Sequence, residues 1–242
     1  VHWYSPTTMP AACHLRVERC VPKVKTPDMP IALVTCGPAH EPIDVVRRIT
    51  NHSTGELGAV LSETLQASGF DVVCLRGESV PHPPPPCARV IAFSTNGSLA
   101  EALEDLPDLP AVVFHAAALA DFHVAPVLGQ TPTDAKISSD TAELVLTLRP
   151  AKKILPQLRG LFPEALIVGW KYEVDGDTVE SLGRARSQIT RARTDACVLN
   201  GPAYGPGFGF VEADRDEPLH LADKASLARH LTDWAKEKLI RP

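Results

Sequence analysis

The sequence predicts an α/β protein: a doubly wound, mostly parallel Rossmann-like sheet with helices on both faces and a small extended excursion near 123–148. Three observations predict it. Short runs rich in Val, Ile and Leu alternate with amphipathic stretches from residue 29 onward. The links between them are short, as the right-handed crossovers of a parallel sheet allow. The first run, IALVTC at 31–36, leads through a long polar loop into a helix entered at NHSTGELG. Open α/β sheets hold phosphates at such a strand-to-helix turn, where free N–H groups and the positive end of the helix dipole face the anion.

The elements follow in order. Ile31–Cys36 is a buried strand. Leu57, Leu61 and Leu65 mark one face of a helix that ends near Gly69. DVVCL (71–75) is a strand. HPPPPC (82–87) has no place in a helix or central strand and is a rigid surface loop. RVIAF (89–93) is a strand and 98–106 a helix. AVVFHAAA (111–118) is an apolar buried strand that ends in small residues. Residues 135–138 and 143–148 are a pair of extended segments outside the main alternation. Residues 150–161 are helical, ALIVGW (165–170) is a strand, 178–193 a helix and ACVLN (196–200) a strand. Residues 201–209 are a Gly/Pro loop. Residues 208–212 and 218–222 form a terminal hairpin, and 225–239 a closing amphipathic helix.

Composition narrows the function. The chain has 242 residues, 44% hydrophobic and 22% charged, which suits one large domain or one domain with a small appendage. A net charge of -5 offers no basic field, so non-specific nucleic-acid binding is excluded. No apolar run approaches the roughly 18–20 residues of a membrane span, and no signal-peptide pattern opens the chain. A cytoplasmic protein is expected. The cysteines Cys13, Cys20, Cys36, Cys74, Cys87 and Cys197 form no CxxC pair. Cys36, Cys74 and Cys197 fall in strands as reduced core thiols, and no metal site is expected. Residues 1–28 carry scattered Pro and no periodicity. They read as an extension to a domain at 29–242, either a non-native start before Met29 or an arm that packs on the domain or a partner.

Ligands of doubly wound sheets sit at the C-terminal strand ends. That rule gathers 37–55, 116–121, 169–173 and 200–209 on one edge, each polar or small as a nucleotide site needs. The phosphate-binding turn would use Asn51, Ser53, Thr54 and Gly55. It is neither GxGxxG nor GxxxxGK[ST], and no Tyr-x-x-x-Lys is present, so a short-chain oxidoreductase fits poorly. His115 lies inside an apolar strand and reads as a satisfied core histidine. His52 has no second histidine or acid placed to make a dyad.

These segments together resemble the phosphopantothenoylcysteine synthetase family. GPAHEPIDVVRRITNHSTGELG resembles that family's G-T-R-E-P-I-D-x-V-R-x-I-x-N-x-S-S-G-x-x-G. AAALADF (116–122) resembles A-A-A-V-A-D-[YF], and KISS (136–139) falls at K-x-K-K. VGWKYE (168–173) falls at G-F-x-x-E, VLNG (198–201) at A-N-D and GFG (207–209) at a downstream G-F. The resemblance implies a ligase of coenzyme A biosynthesis, without a flavin. The carboxylate of 4'-phosphopantothenate attacks the α-phosphate of CTP or ATP with Mg²⁺, and cysteine then displaces the mononucleotide. It implies that Asn51 binds the acyl carbonyl and Lys136 contacts the nucleotide, as the catalytic pair. It puts Gly37, Ser53, Thr54, Gly55, Ala117, Ala118, Asp121, Trp170 and Lys171 around nucleotide and phosphates, and Arg47 and Asn200 on the substrate. It implies a homodimer, reached through the segments near 123–148. Twenty-eight residues are too few for a flavin-binding decarboxylase domain, so that step is expected on another polypeptide. Several of these residues have ordinary alternatives: Asn51 as an N-cap, Arg47 and Lys136 as solvated charges, Asn200 as a turn former.

The chain also departs from the family pattern. Glu56 stands where many members have Lys, Ser138 and Ser139 replace two lysines, Gly201 replaces an acid, and the opening Arg is lost. Lys171, in a loop on the same edge, is the expected compensating cation. The ligase is the leading reading. A divergent ligase for another acid or amine, and a nucleotide-binding module without turnover, are the alternatives.

Overall fold

The computed structural model describes residues 29–86, 89–125, 136–138, 140 and 143–240. The proposed extension at 1–28 lies outside them. In chain order the elements are β1 (Ile31–Cys36), β2 (His40–Pro42), β3 (Arg48–Thr50), α1 (Glu56–Ala67), β4 (Asp71–Gly77), β5 (Arg89–Phe93), α2 (Asn96–Glu104), β6 (Val112–His115), β7 (Phe122–Val124), β8 (Leu148–Pro150), α3 (Leu155–Leu161), β9 (Leu166–Tyr172), α4 (Thr178–Ala192), β10 (Ala196–Gly201), β11 (Gly205–Glu212), β12 (Leu219–Leu221) and α5 (Lys224–Ile240).

Eight strands form one sheet in the order β12-β11-β10-β9-β6-β1-β4-β5. The pairs from β5 across to β10 are parallel, and β11 and β12 close the edge antiparallel. The chain runs outward from β1 in one direction and returns to start β6 in the other. The β1/β6 seam is therefore the switch point, where the crossovers diverge and leave a crevice.

Alternation along each strand divides the core. Ala32 and Val34 pack with Leu61 and Leu65 of α1 and Leu227 and Leu231 of α5. Leu33 turns the other way, onto Leu99 and Leu103 of α2, Leu158 of α3 and Phe162 just past its end. Ala185 and Ile189 bring α4 down on Cys197 and Leu199. Each fully buried Leu or Phe contributes about 1.5–3 kcal/mol relative to exposure. Cys36, Cys74 and Cys197 are buried free thiols, as their strand positions predict.

Two glycines set the turn that follows β1. Gly37 (φ 80°) and Gly55 (φ 70°) both adopt the left-handed conformation, and a Cβ on them would lie 2.1 Å and 2.5 Å from Val80 side-chain carbons. Val80, from the β4–β5 link, thus fills the space between the end of β1 and the start of α1.

The structure corrects several boundaries. The polar loop after β1 contains the β2–β3 hairpin. The strand expected at 111–118 is β6 and stops at His115, because Ala116 to Ala120 peel away as a half-buried segment. The excursion is paired through β7 and β8, whereas 143–147 form no strand; Ala135, Ser139 and 141–142 lie outside the described residues. Helix α3 starts at Leu155, since Leu148–Pro150 are claimed by β8. The expected loop at 201–209 is mostly strand β11, whose pairing with β10 and β12 overrides the glycines and proline.

Candidate active-site cleft at the switch point

A cleft of about 490 Å³ opens beyond the C-terminal ends of β6 and β9, between the start of α2 and helices α3 and α4. One part of its lining is apolar: Ala117, Leu119, Ala120, Leu155 and Pro156. The rest carries Lys152, Lys153, Lys171, Arg184 and Arg191.

The 116–121 segment is the wall shared by the cleft and the β1–α1 turn, and it is tightly fixed. Ala116 N–H donates to Thr35 O (3.0 Å), Ala118 N–H to Gly37 O (2.9 Å) and Ala39 N–H to Ala118 O (3.0 Å). Two side-chain amides complete the clamp. Asn51 Nδ2 donates to Leu119 O at 2.8 Å. Asn96 Nδ2 donates to Ala120 O at 2.8 Å, and Ala120 N–H returns a bond to Asn96 Oδ1 at 3.2 Å. His115, buried at the root of this wall, meets Thr35 Oγ1 through Nδ1 at 2.8 Å. Burial lowers its pKa to about 4, so the imidazole is neutral. It is the satisfied core histidine its apolar strand predicts, although one edge reaches the cleft.

The predicted site residues divide into three groups. Ala117, Asp121, Trp170 and Lys171 line the cleft together, whereas Ala118 is not in its lining and belongs with the second group through its backbone bonds to Gly37 and Ala39. Asp121 is paired with Lys153. Trp170 packs against the α1/α5 core, and its carbonyl accepts from Gln188 Nε2 at 3.2 Å. Lys171 is the last but one residue of β9 rather than a loop residue, and its ammonium sits 2.9 Å from Glu173 Oε1.

Gly37, Asn51, Ser53, Thr54 and Gly55 gather on the other side of the wall, around the start of α1. The N-cap is Gly55 and not Asn51, Ser53 or Thr54, and no side chain caps the helix. The hydroxyl of Thr54 reaches only Glu56 N–H, at 3.4 Å. Apart from that long contact to Glu56 N–H, no side chain caps the first turn of α1, as suits an anion-binding terminus. The anionic Glu56 does not stand alone there, because Lys224 at the start of α5 pairs with it. A cation from the far end of the chain therefore lies where the sequence has lost one.

Arg47, Lys136 and Asn200 lie outside both groups. Arg47 Nη1 is committed to Asp44 Oδ2 (2.5 Å) and Ile137 O (3.3 Å), so it braces the segment carrying the exposed Lys136. Asn200 is the last but one residue of β10 and is not part of the cleft lining; its carbonyl accepts from Glu173 N–H at 2.9 Å. Asp44 is the hub of this brace. Burial pushes its carboxyl up, but the N–H groups of Val46, Arg47 and Ile137 and the Arg47 guanidinium outweigh burial and hold it at about 2. In the unfolded chain an Asp titrates near 3.9, roughly. The native state binds fewer protons between these values, so this contribution is complete above a pH of about 4 and is lost as pH falls through about 2. Asp44→Asn is expected to flatten the acid side of the stability curve. Urea midpoints at pH 3 and pH 7 check it, and an equal deficit at both pH values would refute it.

Four cleft cations escape a reading of the sequence: Lys152, Lys153, Arg184 and Arg191. Arg184, Ser187, Gln188 and Arg191 follow i, i+3, i+4, i+7 spacing, so a single stripe of α4 faces the cleft. That stripe was the available signal. Arg184 Nη1 reaches Glu173 Oε2, so one buried carboxylate holds Arg184 and Lys171 together. Burial alone would raise the Glu173 pKa; the two cations outweigh it and hold the carboxyl below its ordinary range.

Residues 30–239 match the family of the DNA/pantothenate metabolism flavoprotein C-terminal domain. The chain is 36% identical over 215 residues to the coenzyme A biosynthesis bifunctional protein CoaBC of Thermococcus kodakarensis, a match covering 86% of this chain and 51% of that one. It spans about half the length of the curated relatives it matches. Among solved structures, the DNA/pantothenate metabolism flavoprotein from Streptococcus pneumoniae aligns with TM-score 0.75 and 25% identity, over 86% of this chain and 99% of that one. A Cab2 mutant in complex with phosphopantothenate-cysteine aligns with TM-score 0.68 and 20% identity, over 86% of each chain, a likeness of fold.

Proposed function

The chain belongs to the DNA/pantothenate metabolism flavoprotein C-terminal domain family, and from that premise we propose that residues 29–242 form a ligase domain joining 4'-phosphopantothenate to cysteine in coenzyme A biosynthesis. The observation that carries this reading is the Asn51–Leu119 hydrogen bond, which ties the open start of α1 to the wall of a cleft that is part apolar and part cationic. An apolar wall suits a base and ribose, and clustered cations suit phosphates.

In this reading the nucleotide, CTP or ATP, lies against Ala117–Asp121. The acid lies toward Asn51 and the α1 terminus. Its carboxylate oxygen attacks the α-phosphorus, the bond to the bridging oxygen breaks, and pyrophosphate leaves with the electron pair. The amine of cysteine then attacks the acyl carbon of this acyl-nucleotidylate. The amine loses a proton and the mononucleotide leaves. The protein aligns two anions and offsets their charge. Asn51 holds the acyl carbonyl, and Ser53, Thr54 and Gly55 receive a phosphate. Lys136 reaches the nucleotide in this reading from the segment that Asp44 and Arg47 hold through Ile137. Mg²⁺ bound to the nucleotide would offset the phosphate charge, and Asp121 is the carboxylate of the cleft lining that would face it.

The exposed apolar side chains Val46, Phe122, Val145 and Leu148 around the two small hairpins support a homodimer through this excursion. A monomer mass in sedimentation equilibrium would remove that part of the reading. Among the described residues no helix is long and apolar enough to cross a membrane.

Purified protein supplied with Mg²⁺, 4'-phosphopantothenate and cysteine is expected to release pyrophosphate with CTP or with ATP, tested separately. The release should depend on the acid and yield the mononucleotide. Release that is indifferent to the acid, or none with either nucleotide, would overturn the ligase.

A further inference from the structure

The cationic side of the cleft holds more positive charge than its own carboxylates answer. Asp121 is taken by Lys153, and Glu173 by Lys171 and Arg184. Among the described residues Lys152 and Arg191 have no ion-pair partner, yet both line the cleft. Lys152 comes from the turn that follows β8, and Arg191 from the last turn of α4. Two cations without carboxylates, beside three that are partly neutralised and next to an apolar wall, repel one another, and an anion entering the cleft relieves that repulsion.

The α4 stripe adds directional donors. The Arg191 and Arg184 guanidiniums lie two turns apart with the Ser187 hydroxyl and Gln188 amide between them. Gln188 is already fixed on Trp170 O. Arg191 presents a planar fork that matches two oxygens of a phosphate.

We infer that Arg191 and Lys152, supported by Arg184, form a phosphate-recognition end of this cleft, opposite in character to its Ala117–Ala120 wall. The inference rests on the ligase reading for the identity of its ligand. The phosphate has two sources in that reaction, the polyphosphate tail of the nucleotide and the phosphomonoester of the acid. The stripe is absent from the motifs that mark the β1–α1 turn, so this end of the cleft adds donors that those motifs do not supply.

The test is the pair of variants Arg191→Gln and Lys152→Gln, singly and together. Arg229→Gln, on the exposed side of α5, serves as a charge-matched control. Losing a charge-assisted bond to phosphate is expected to raise the KM of the affected substrate about tenfold per variant, with kcat little changed. A rise confined to nucleotide KM assigns the polyphosphate, and a rise confined to the KM of the acid assigns the phosphomonoester; both support the site. Unchanged KM for both substrates in an active, folded double variant overturns it. If the native protein shows no turnover, the ligase reading fails separately, and calorimetric titration with inorganic pyrophosphate decides the site. Pyrophosphate bound by the native protein and about tenfold or more weaker in the double variant sustains the inference. Equal binding, or none, ends it.

Discussion

Asn51→Ala is expected to lower kcat/KM for ligation about 100-fold while the melting temperature stays nearly unchanged, because losing a preorganised donor at a reacting carbonyl costs roughly that much. The side chain is exposed and stabilises the fold only through its bond to Leu119 O, which is worth about 0.5–1.5 kcal/mol net. Its larger effect comes from geometry. The amide nitrogen carries two hydrogens. The one on Leu119 O fixes the amide plane, so the second hydrogen has a set direction when an acyl carbonyl arrives. Removing the side chain deletes the donor and releases the wall that carries Asp121. Asn51→Asp is the sharper companion. It keeps the volume, removes both N–H groups, and turns an anionic oxygen toward Leu119 O and toward the acid substrate, so activity should fall at least as far. Steady-state pyrophosphate release, with circular dichroism to verify the fold, checks both variants. A change of less than about threefold in Asn51→Ala would reduce Asn51 to an ordinary loop residue.

The sheet and helices are legible in the sequence for a simple reason. Runs such as IALVTC, VVF and CVL are continuous because both faces of a parallel sheet are covered. The Leu57, Leu61, Leu65 spacing marks α1 without ambiguity. What the local pattern misjudges is pairing at the sheet edge. Gly205, Pro206, Gly207 and Gly209 read as a loop, yet they form half of β11. Gly207 (φ 82°) belongs there because a Cβ would lie 2.6 Å from Leu221 O, so close backbone approach, not flexibility, selects glycine. The site follows the same division. Asn51, Ala117 and Asp121 sit at strand ends that the topology rule brings together. The cleft cations come from the segment before α3, from β9 and from α4, and their convergence exists only in the packed molecule. Arg47 misleads in the opposite sense. Its place in a long motif suggests a substrate contact, whereas its Nη1 is bound by Asp44, three residues away.

Arg159→Leu is expected to destabilise the protein by about 2–4 kcal/mol. For a chain of this length that corresponds to a fall of about 5–15 °C in melting temperature. Arg159, near the end of α3, donates through Nε to Arg193 O (3.0 Å) and through Nη1 to Pro163 O (2.9 Å) and Ala165 O (2.7 Å). Its Nη2 pairs with Asp195 Oδ2 at 2.7 Å, and that same oxygen accepts Ile167 N–H at 2.7 Å. One guanidinium thereby joins the end of α3, the end of α4 and the start of β9. Solvent screens the Asp195 pair, whose carboxylate is 37% exposed, so most of the loss comes from three carbonyls deprived of their donor. Arg159→Lys should recover little of it, since a single ammonium cannot reproduce the fork. The consequence extends to the opposite end of the sheet, because α3 supplies the apolar Leu155 and Pro156 and α4 supplies the cationic stripe of the cleft. If the junction spaces these helices, nucleotide KM should rise in Arg159→Leu well below its melting temperature. Differential scanning calorimetry and KM measured at 15 °C separate the two effects. A melting point within about 3 °C of the native value would mean that water replaces the fork at all three carbonyls and that the helices hold their spacing through Ile154, Leu158 and Ala192 alone.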